Sequence, residues 1–137
     1  MAFQNPPDEA IKELLSRPQT VAVVGCSPDP QRDSHRVAQL LRARGHRVIP
    51  VNPGHQTILG ETCYASLRDI PTQVDMVDIF RRSEHVAPIV DEAIEAGAKI
   101  VWMQLGVIDE IAAAKAQHAG LTVVMDRCPA IEYRRLF

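Results

Sequence analysis

Five stretches of the chain are built mainly from consecutive apolar residues, and the polar residues are concentrated between them. Unbroken apolar runs of this length are typical of parallel β-strands that are covered on both faces. The pattern therefore predicts five buried strands, at residues 20–25, 46–52, 74–80, 99–104 and 121–125.

The segments between these runs have the periodicity of amphipathic helices. Residues 34–44 place Val37, Leu40 and Leu41 on one stripe, and Gly45 follows where a helix commonly ends in a left-handed residue. Comparable patterns predict a leading helix that begins near Pro6 and Pro7, a short turn at 66–70, and two later helices that stop at Gly97 and Gly120.

Strands that alternate with helices of this length form a parallel sheet through right-handed crossovers. The sequence therefore predicts an α/β fold, a single Rossmann-like doubly wound domain over residues 1–137. We expect a five-stranded parallel sheet in the order 3-2-1-4-5, with helices on both faces. In such sheets ligands bind beyond the carboxyl ends of the strands, where the strand order reverses. The predicted order puts this point between the first and fourth strands.

Composition excludes several function classes. A formal charge of −2 and 4% aromatic residues argue against a nucleic-acid partner, which needs a basic face or stacking rings. No run approaches the ~18 apolar residues of a membrane span, so we expect no membrane partner. The N-terminus lacks the features of a signal peptide, and a cytoplasmic location is expected. The sequence leaves a homodimer open.

The loop after the first strand, GCSPDPQRDS, has features of a phosphate site. Gly25 allows backbone amides to approach a ligand, and a helix that begins near Ser34 offers free N–H groups and a positive dipole end. Arg32 and His35 add charge. The alternative is a surface turn in which Asp33 or Ser34 caps the helix. The candidate binding residues of this loop are Gly25, Cys26, Ser27, Arg32, Ser34 and His35.

The second strand ends in Asn52 and Pro53 rather than in an acidic residue. A nicotinamide-dinucleotide site usually has Asp or Glu here to bind the ribose hydroxyls. NAD is therefore disfavoured, whereas a nucleotide with a differently substituted ribose stays open. The alternative is that Asn52, Pro53 and Gly54 form a simple turn.

The third strand leads into the segment FRRSEHVAP. Pro88 cannot donate to a helical ladder, so residues 83–87 are predicted to form an irregular first turn with outward amides beside Arg81 or Arg82. The alternative is that Ser83 caps a helix and both arginines are solvated. The candidate binding residues on this part of the edge, together with the loop after the fourth strand, are Phe80, Arg81, Val86, Gln104 and Gly106.

Five motifs occur in a fixed order along the chain: GCSPDPQRDS, VNPG, DIFRRSEHV, WMQLGV and VMDRC. In this order they resemble the small stand-alone CoA-binding proteins of bacteria, relatives of the CoA-binding domain in the succinyl-CoA synthetase alpha subunit. The resemblance covers nearly the whole chain, up to Cys128. It implies a Rossmann-like domain whose ligand is coenzyme A.

The resemblance also implies roles for individual residues. The first loop would face the phosphates of CoA, the end of the second strand would border the adenosine, and the third-strand loop would line the path of the pantetheine. The residues concerned are Gly25, Ser27, Arg32 and Ser34 for the phosphates, Asn52 and Pro53 for the adenosine, and Phe80, Arg81 and Val86 for the pantetheine.

Three function classes stay in view, and the sequence favours a non-catalytic module that binds CoA or an acyl-CoA. The second is an enzyme that acts on acyl-CoA or CoA mixed disulfides through Cys26 or Cys128, because a helix terminus or Arg127 would lower a thiol pKa. No histidine is clearly paired with either cysteine, which favours two small packed thiols. The third is an NAD(H)-binding redox sensor. The cysteines and histidines lack zinc-site spacing, so no metal is predicted.

Overall fold

The fold is seen in a computed structural model that describes residues 3–137. Its strands are β1 (Thr20–Val24), β2 (Arg47–Val51), β3 (Thr57–Ile58), β4 (Glu61–Thr62), β5 (Met76–Ile79), β6 (Ile100–Met103) and β7 (Thr122–Met125). Its helices are α1 (Asp8–Ser16), α2 (Asp33–Ala43), α3 (Val86–Glu95), α4 (Glu110–His118) and α5 (Pro129–Leu136), with 3-10 turns at Leu67–Asp69 and Ser83–His85. Strands β3 and β4 form a small antiparallel hairpin, and the other strands form one parallel sheet.

The predicted α/β fold, with a five-stranded parallel sheet and helices on both faces, is confirmed. Helices α2, α3 and α4 each end two residues before the glycine that was predicted to stop them. The irregular turn predicted before Pro88 is the 3-10 turn that precedes α3. Two elements were missed by the sequence analysis: the β3–β4 hairpin and the final helix α5.

The strand order needs correction. The sheet runs β2-β1-β5-β6-β7, which is 2-1-3-4-5 when its five strands are counted along the chain, and not 3-2-1-4-5. β5 pairs directly with β1, and Val24 lies opposite Ile79 at their carboxyl ends. The strand order therefore reverses between the first and third strands, not between the first and fourth.

Strand β2 lies at the edge of the sheet, and its sequence explains why. Pro50 has no N–H to donate to a neighbouring strand, which confines proline to sheet edges. In the predicted order β2 would have lain between two strands. The outer side of β2 is partly covered, because the Tyr64 N–H donates to the Pro50 carbonyl (3.1 Å) and the Asn52 N–H donates to the Tyr64 carbonyl (2.9 Å).

The helices cover the sheet in two layers. Helices α3 and α4 cover one face, here called the α3 side, and α1, α2 and α5 cover the other, here called the α2 side. Successive strand residues point to opposite faces. In β5, Val77 and Ile79 pack on the α3 side, whereas Met76 and Asp78 lie on the α2 side.

The two sides bury different kinds of residue. The α3 side is a continuous apolar core that includes Ile79, Val90 and Val101. The polar residues that are buried within the described chain all lie on the α2 side: Ser34, His35, His46, Asp78, Gln104 and Glu132. No helix within residues 3–137 is long and apolar enough to cross a membrane.

Candidate functional site

Three cavities open around the carboxyl end of β5. The α2-turn cavity, of about 460 Å³, is lined by Gly25, Ser27, Arg32, Ser34, Asn52 and Phe80, among others. The α2–α5 cavity, of about 640 Å³, is lined by Phe80, Arg81, Gln104, Gly106, Ile131 and Arg134, among others. The α3 cavity, of about 260 Å³, is lined by Pro53, Leu67, Arg81, His85 and Ile89, among others. Phe80 is shared by the first two and Arg81 by the last two, so the three cavities meet at this strand end.

Gly25 holds the ends of three strands together. Its φ is +85°, in the left-handed region that favours glycine. A Cβ at this position would lie 2.5 Å from the carbonyl oxygen of Phe80, so alanine does not fit unless β5 moves. The Gly25 N–H donates to the Val51 carbonyl (2.8 Å). Gly25 lines the α2-turn cavity, but the space left by its missing side chain is occupied by the Phe80 backbone and not by the cavity.

The first loop is fixed by its own buried polar groups. The Ser27 N–H donates to the Ser34 Oγ (2.9 Å). Nδ1 of His35 lies 2.8 Å from the Ser27 carbonyl oxygen, so it is the nitrogen that donates. Ser34 and His35 are both buried. Ser34 and His35 therefore hold the loop in place from the protein interior. Ser27 and Ser34 also line the α2-turn cavity.

The start of α2 has no side-chain cap. Its N-cap residue is Arg32, and neither Asp33 nor Ser34 caps the helix, which the alternative interpretation required. The N–H groups of Asp33 and Ser34 have no acceptor within residues 3–137. Arg32 is exposed and forms no ion pair in the same part of the chain. Free amides, a helix dipole and an unpaired cation thus line one polar cavity.

Asn52 ties the end of β2 to the first loop. Its Nδ2 donates to the Cys26 carbonyl (2.8 Å), and its own carbonyl accepts from the Cys63 thiol (3.4 Å). Asn52 lines the α2-turn cavity. Pro53 lies on the other side and lines the α3 cavity. The two residues predicted to border one adenosine thus line separate cavities.

Arg81 is a half-buried cation at the point where the strand order reverses. Its Cδ would lie 3.1 Å from a Cβ on Gly25, so its alkyl chain packs on the glycine. It forms no ion pair with any residue the structure describes. Arg82, by contrast, is exposed and lies 3.7 Å from Glu84. Arg81 is therefore the arginine of this loop that is placed to bind an anion.

The turn before α3 does not place Val86 at the edge. Val86 is fully buried in the apolar core of the α3 side, so its side chain packs away from the ligand it was predicted to contact. Ser83 does not cap α3 either. Its Oγ accepts from the Ile108 N–H (2.9 Å) and so joins this turn to the loop after β6.

Gln104 lines the α2–α5 cavity and carries a buried, unsatisfied oxygen. The residue is only 6% exposed, and its Oε1 has no hydrogen-bond partner among residues 3–137. The neighbouring Gly106 N–H donates to Asp126 Oδ1 (2.7 Å), which ties the loops after β6 and β7 together. Asp126 has a φ of +59°, a conformation that costs a non-glycine residue free energy.

The cysteines divide into two buried thiols and one accessible thiol. Burial, with smaller contributions from Cys63 and Asp78, raises the pKa of Cys26 to about 12. Burial also raises the pKa of Cys63. Cys128 is half-buried, lies at the N-cap of α5 and lines the α2–α5 cavity. Among residues 3–137, no cluster of three or more His, Cys, Asp or Glu is placed to hold a metal.

Asp78 is a buried carboxyl with no partner. It is fully buried in the middle of β5, and neither of its oxygens is hydrogen-bonded within the described chain. Burial raises its pKa well above the usual range for aspartate. The Asp78 carboxyl belongs to the same side of the sheet as Gln104 and Cys26.

Residues 19–134 match the model of the CoA-binding domain family. The chain belongs to this family. A hypothetical protein from Pyrococcus horikoshii OT3 has the same fold, with a TM-score of 0.91, 40% identity and 99% coverage of both chains. The resemblance proposed from the sequence motifs is confirmed.

Two similar proteins differ in how much of their length the chain covers. The uncharacterized protein YneT of Bacillus subtilis is 40% identical over 126 residues, which is 92% of this chain and 93% of that protein. The ADP-forming acetate–CoA ligase I of Archaeoglobus fulgidus is 29% identical over 126 residues, which is 85% of this chain and 18% of the ligase. The chain thus matches one small relative over nearly its full length and one small part of a much longer enzyme.

Helix α5, which the sequence analysis missed, forms one wall of the α2–α5 cavity. The helix supplies Cys128, Ala130, Ile131 and Arg134 to the α2–α5 cavity. Its signals were present, since Pro129 occupies a favoured first-turn position and basic residues fill the last turn. Without α5, the loops after β5 and β6 have no opposite wall.

Proposed function

We propose that the protein binds coenzyme A or an acyl-CoA at the carboxyl edge of its sheet and acts as a binding module without catalysis of its own. The observation that carries the proposal is the unpaired, half-buried Arg81 beside the uncapped start of α2. Both are available to anions at the place where open α/β sheets bind ligands. CoA brings a pyrophosphate and a 3′-phosphate to such a site.

The α2-turn cavity suits the phosphates. The free N–H groups of Asp33 and Ser34 point from a helix N-terminus, where a phosphate is stabilised by both hydrogen bonds and the helix dipole. Arg32 adds a cation that no carboxylate of residues 3–137 neutralises. The cavity continues past Phe80 toward Arg81, which gives the pantetheine a route along the strand ends.

The same cavity is less suited to NAD. The end of β2 offers Asn52, whose Nδ2 is already committed to the Cys26 carbonyl (2.8 Å), and no carboxylate to accept from ribose hydroxyls. The other ligand-facing residue of this loop is His55. A 3′-phosphorylated ribose, as in CoA, has no need of an acidic residue.

The thiols favour binding over catalysis. Cys26 has a pKa near 12 because it is buried, so it stays a thiol at neutral pH and is a poor nucleophile. Cys128 faces the α2–α5 cavity, but no histidine lines that cavity to act as a base. Transfer of an acyl group or a disulfide therefore lacks a thiolate at Cys26 and, among the described residues that line the cavity, a histidine base at Cys128.

Calorimetric titration of the reduced protein at one salt concentration tests the proposal. We expect CoA to bind with a Kd on the order of micromolar, 3′-dephospho-CoA more weakly, and NADH more weakly still. Arg81→Ala should lower the affinity for CoA by about 1.5–3 kcal/mol, since it removes a charged hydrogen-bond donor. Arg47→Ala is the matched control, because Arg47 is exposed at the opposite end of the sheet. NADH binding more tightly than CoA, or equal losses from both variants, would contradict the proposal.

A further inference from the structure

The α2–α5 cavity adjoins the α2-turn cavity but has a different chemical character. Asp33 and Phe80 line both, so the two spaces are neighbours along the strand ends. The walls of the α2–α5 cavity are largely apolar, with Val37, Leu105, Val107 and Ile131 among them. Its volume of about 640 Å³ lies within the range of small-molecule sites. It is therefore roomy and hydrophobic, unlike the polar phosphate site next to it.

Gln104 adds a polar group to these mainly apolar walls, and an aliphatic ligand would leave that group without a hydrogen-bond partner. Gln104 lines the cavity, but its Oε1 is buried and unpartnered within residues 3–137, which costs free energy until the side chain turns this oxygen toward a donor in the cavity. The pantetheine arm of CoA carries two amide N–H groups just before its sulfur. If the nucleotide occupies the α2-turn cavity, an arm that passes Phe80 brings such a donor to Gln104.

The rim of the cavity carries excess positive charge. Four arginines line it with a single carboxylate, that of Asp33. Asp33 already pairs with Arg36 at 3.2 Å, and Arg82 lies 3.7 Å from Glu84. Arg81 and Arg134 form no ion pair among the residues described. Arg134 lies one helical turn after Ile131 on α5, so its guanidinium group is next to the apolar wall of the cavity.

We propose that the α2–α5 cavity holds the acyl group of an acyl-CoA, and that the preferred group is a short aliphatic chain ending in a carboxylate. Gln104 turns its Oε1 toward the cavity and accepts from a pantetheine amide, the apolar walls contact the methylene groups, and Arg134 pairs with the terminal carboxylate. This inference rests on the proposed CoA-binding function and adds the class of acyl group to it.

Titration with CoA, valeryl-CoA and glutaryl-CoA tests the inference, because the two acyl groups have the same number of carbons and differ in the terminal carboxylate. We expect valeryl-CoA to bind about 3-fold more tightly than CoA, through burial of its methylene groups. Glutaryl-CoA should bind about 10-fold more tightly than valeryl-CoA, through the charged pair with Arg134.

Three variants assign the contributions. Arg134→Gln, at an exposed position, should abolish the preference for glutaryl-CoA and leave the affinity for CoA unchanged, whereas Arg47→Gln should change neither. Ile131→Trp should narrow the cavity beside Arg134 and weaken both acyl-CoAs more than CoA. Gln104→Met should weaken CoA and both acyl-CoAs and spare 3′,5′-ADP, which lacks the pantetheine arm.

The outcomes separate the two proposals. If CoA binds but valeryl-CoA matches or exceeds glutaryl-CoA, or if Arg134→Gln leaves the preference intact, the inference about the acyl group is overturned and the CoA-binding function stands. If neither CoA nor the acyl-CoAs bind, both are overturned.

Discussion

The two sides of the sheet differ in what they bury. On the α3 side the fully buried residues are apolar, with Val77, Val90 and Val101 excluded from solvent, and the half-buried Glu92 keeps one buried oxygen that is unpaired within residues 3–137. The α2 side buries an unpaired carboxyl, an unpaired amide oxygen and a neutral histidine, and it borders the two larger cavities at the end of β5. One face therefore mainly stabilises the domain, and the other retains costly polar groups close to the candidate site.

Adjacent residues of one strand show the contrast most directly. Val77 and Asp78 are both fully buried in β5, and they point to opposite faces. A buried valine contributes stability through apolar burial, whereas a buried carboxyl without a partner reduces it. The difference suggests that the α2 side was not optimised for stability alone, which is common at functional sites.

The largest effect is expected from a change on the α3 side. Val77→Ala removes two methyl groups from a fully buried position and should lower the free energy of unfolding by about 2–3 kcal/mol. Denaturant titration measures this loss, and calorimetry on the folded variant should show CoA affinity within 2-fold of the parent. A large loss of CoA affinity at unchanged stability would contradict the division between the faces.

The neighbouring position should respond in the opposite direction. Asp78→Val replaces the unpaired carboxyl with an apolar side chain of similar size and should raise the free energy of unfolding by about 1–2 kcal/mol at pH 7. Because burial holds the folded pKa of Asp78 above that of the unfolded chain, the unfolded state loses its proton first as pH rises. The parent should therefore lose stability above pH ~4, and the variant should gain most at neutral pH. Equal pH profiles would contradict the account.

His46 should make the free energy of unfolding fall as the pH drops. This effect is smaller than that of Asp78 and opposite to it in its dependence on pH. Its Nδ1 accepts from the Gln19 N–H (3.1 Å) and its Nε2 donates to the Tyr133 hydroxyl (2.6 Å), which in turn donates to Leu15. Burial lowers the pKa of His46, so the unfolded chain takes up the proton first. The Asp78→Val variant is used here because it lacks the opposing pH dependence of Asp78. Its free energy of unfolding should fall by about 0.5–1 kcal/mol as the pH drops from 6.5 to 5. His46→Gln in the same Asp78→Val background should remove this slope.

Thiol labelling should distinguish the buried interior of the α2 side from the α2–α5 cavity that opens beside it. Cys128 is half-buried in the α2–α5 cavity, whereas Cys26 and Cys63 are buried. A small alkylating reagent should therefore modify one thiol per folded chain, identified as Cys128 by mass spectrometry, and CoA should slow the reaction. Rapid labelling of Cys26 in the folded protein would contradict the burial that raises its pKa.

Much of the fold could be predicted because the signals are local. Apolar runs located the five sheet strands, and glycines located the ends of α2, α3 and α4. Strand order depends on pairing between distant segments, which apolar runs do not encode. Pro50 was the one available clue, since a proline in β2 favours an edge strand. The missed α5 is short and polar on much of its surface, so its periodicity is weak.

The candidate site could be predicted only in part. Because the carboxyl ends of parallel strands meet at one edge of the sheet, the positions after the strands predicted which residues lie at that edge. These are Arg32, Asn52, Arg81, Gln104 and Gly106. Burial was not visible in the sequence. Val86 and Cys26 occupy the same loops as exposed residues but point into the core. The α2–α5 cavity could not be predicted without α5.

The most direct test of the central claim is an amide NMR titration of the protein with CoA. The account predicts that shifts concentrate in residues 25–36, 80–83 and 104–107, at the carboxyl edge, and that the opposite edge, around Arg47 and Lys99, stays unchanged. Saturable shifts confined to that opposite edge, or none at millimolar CoA, would contradict the claim that this edge of the sheet binds the cofactor.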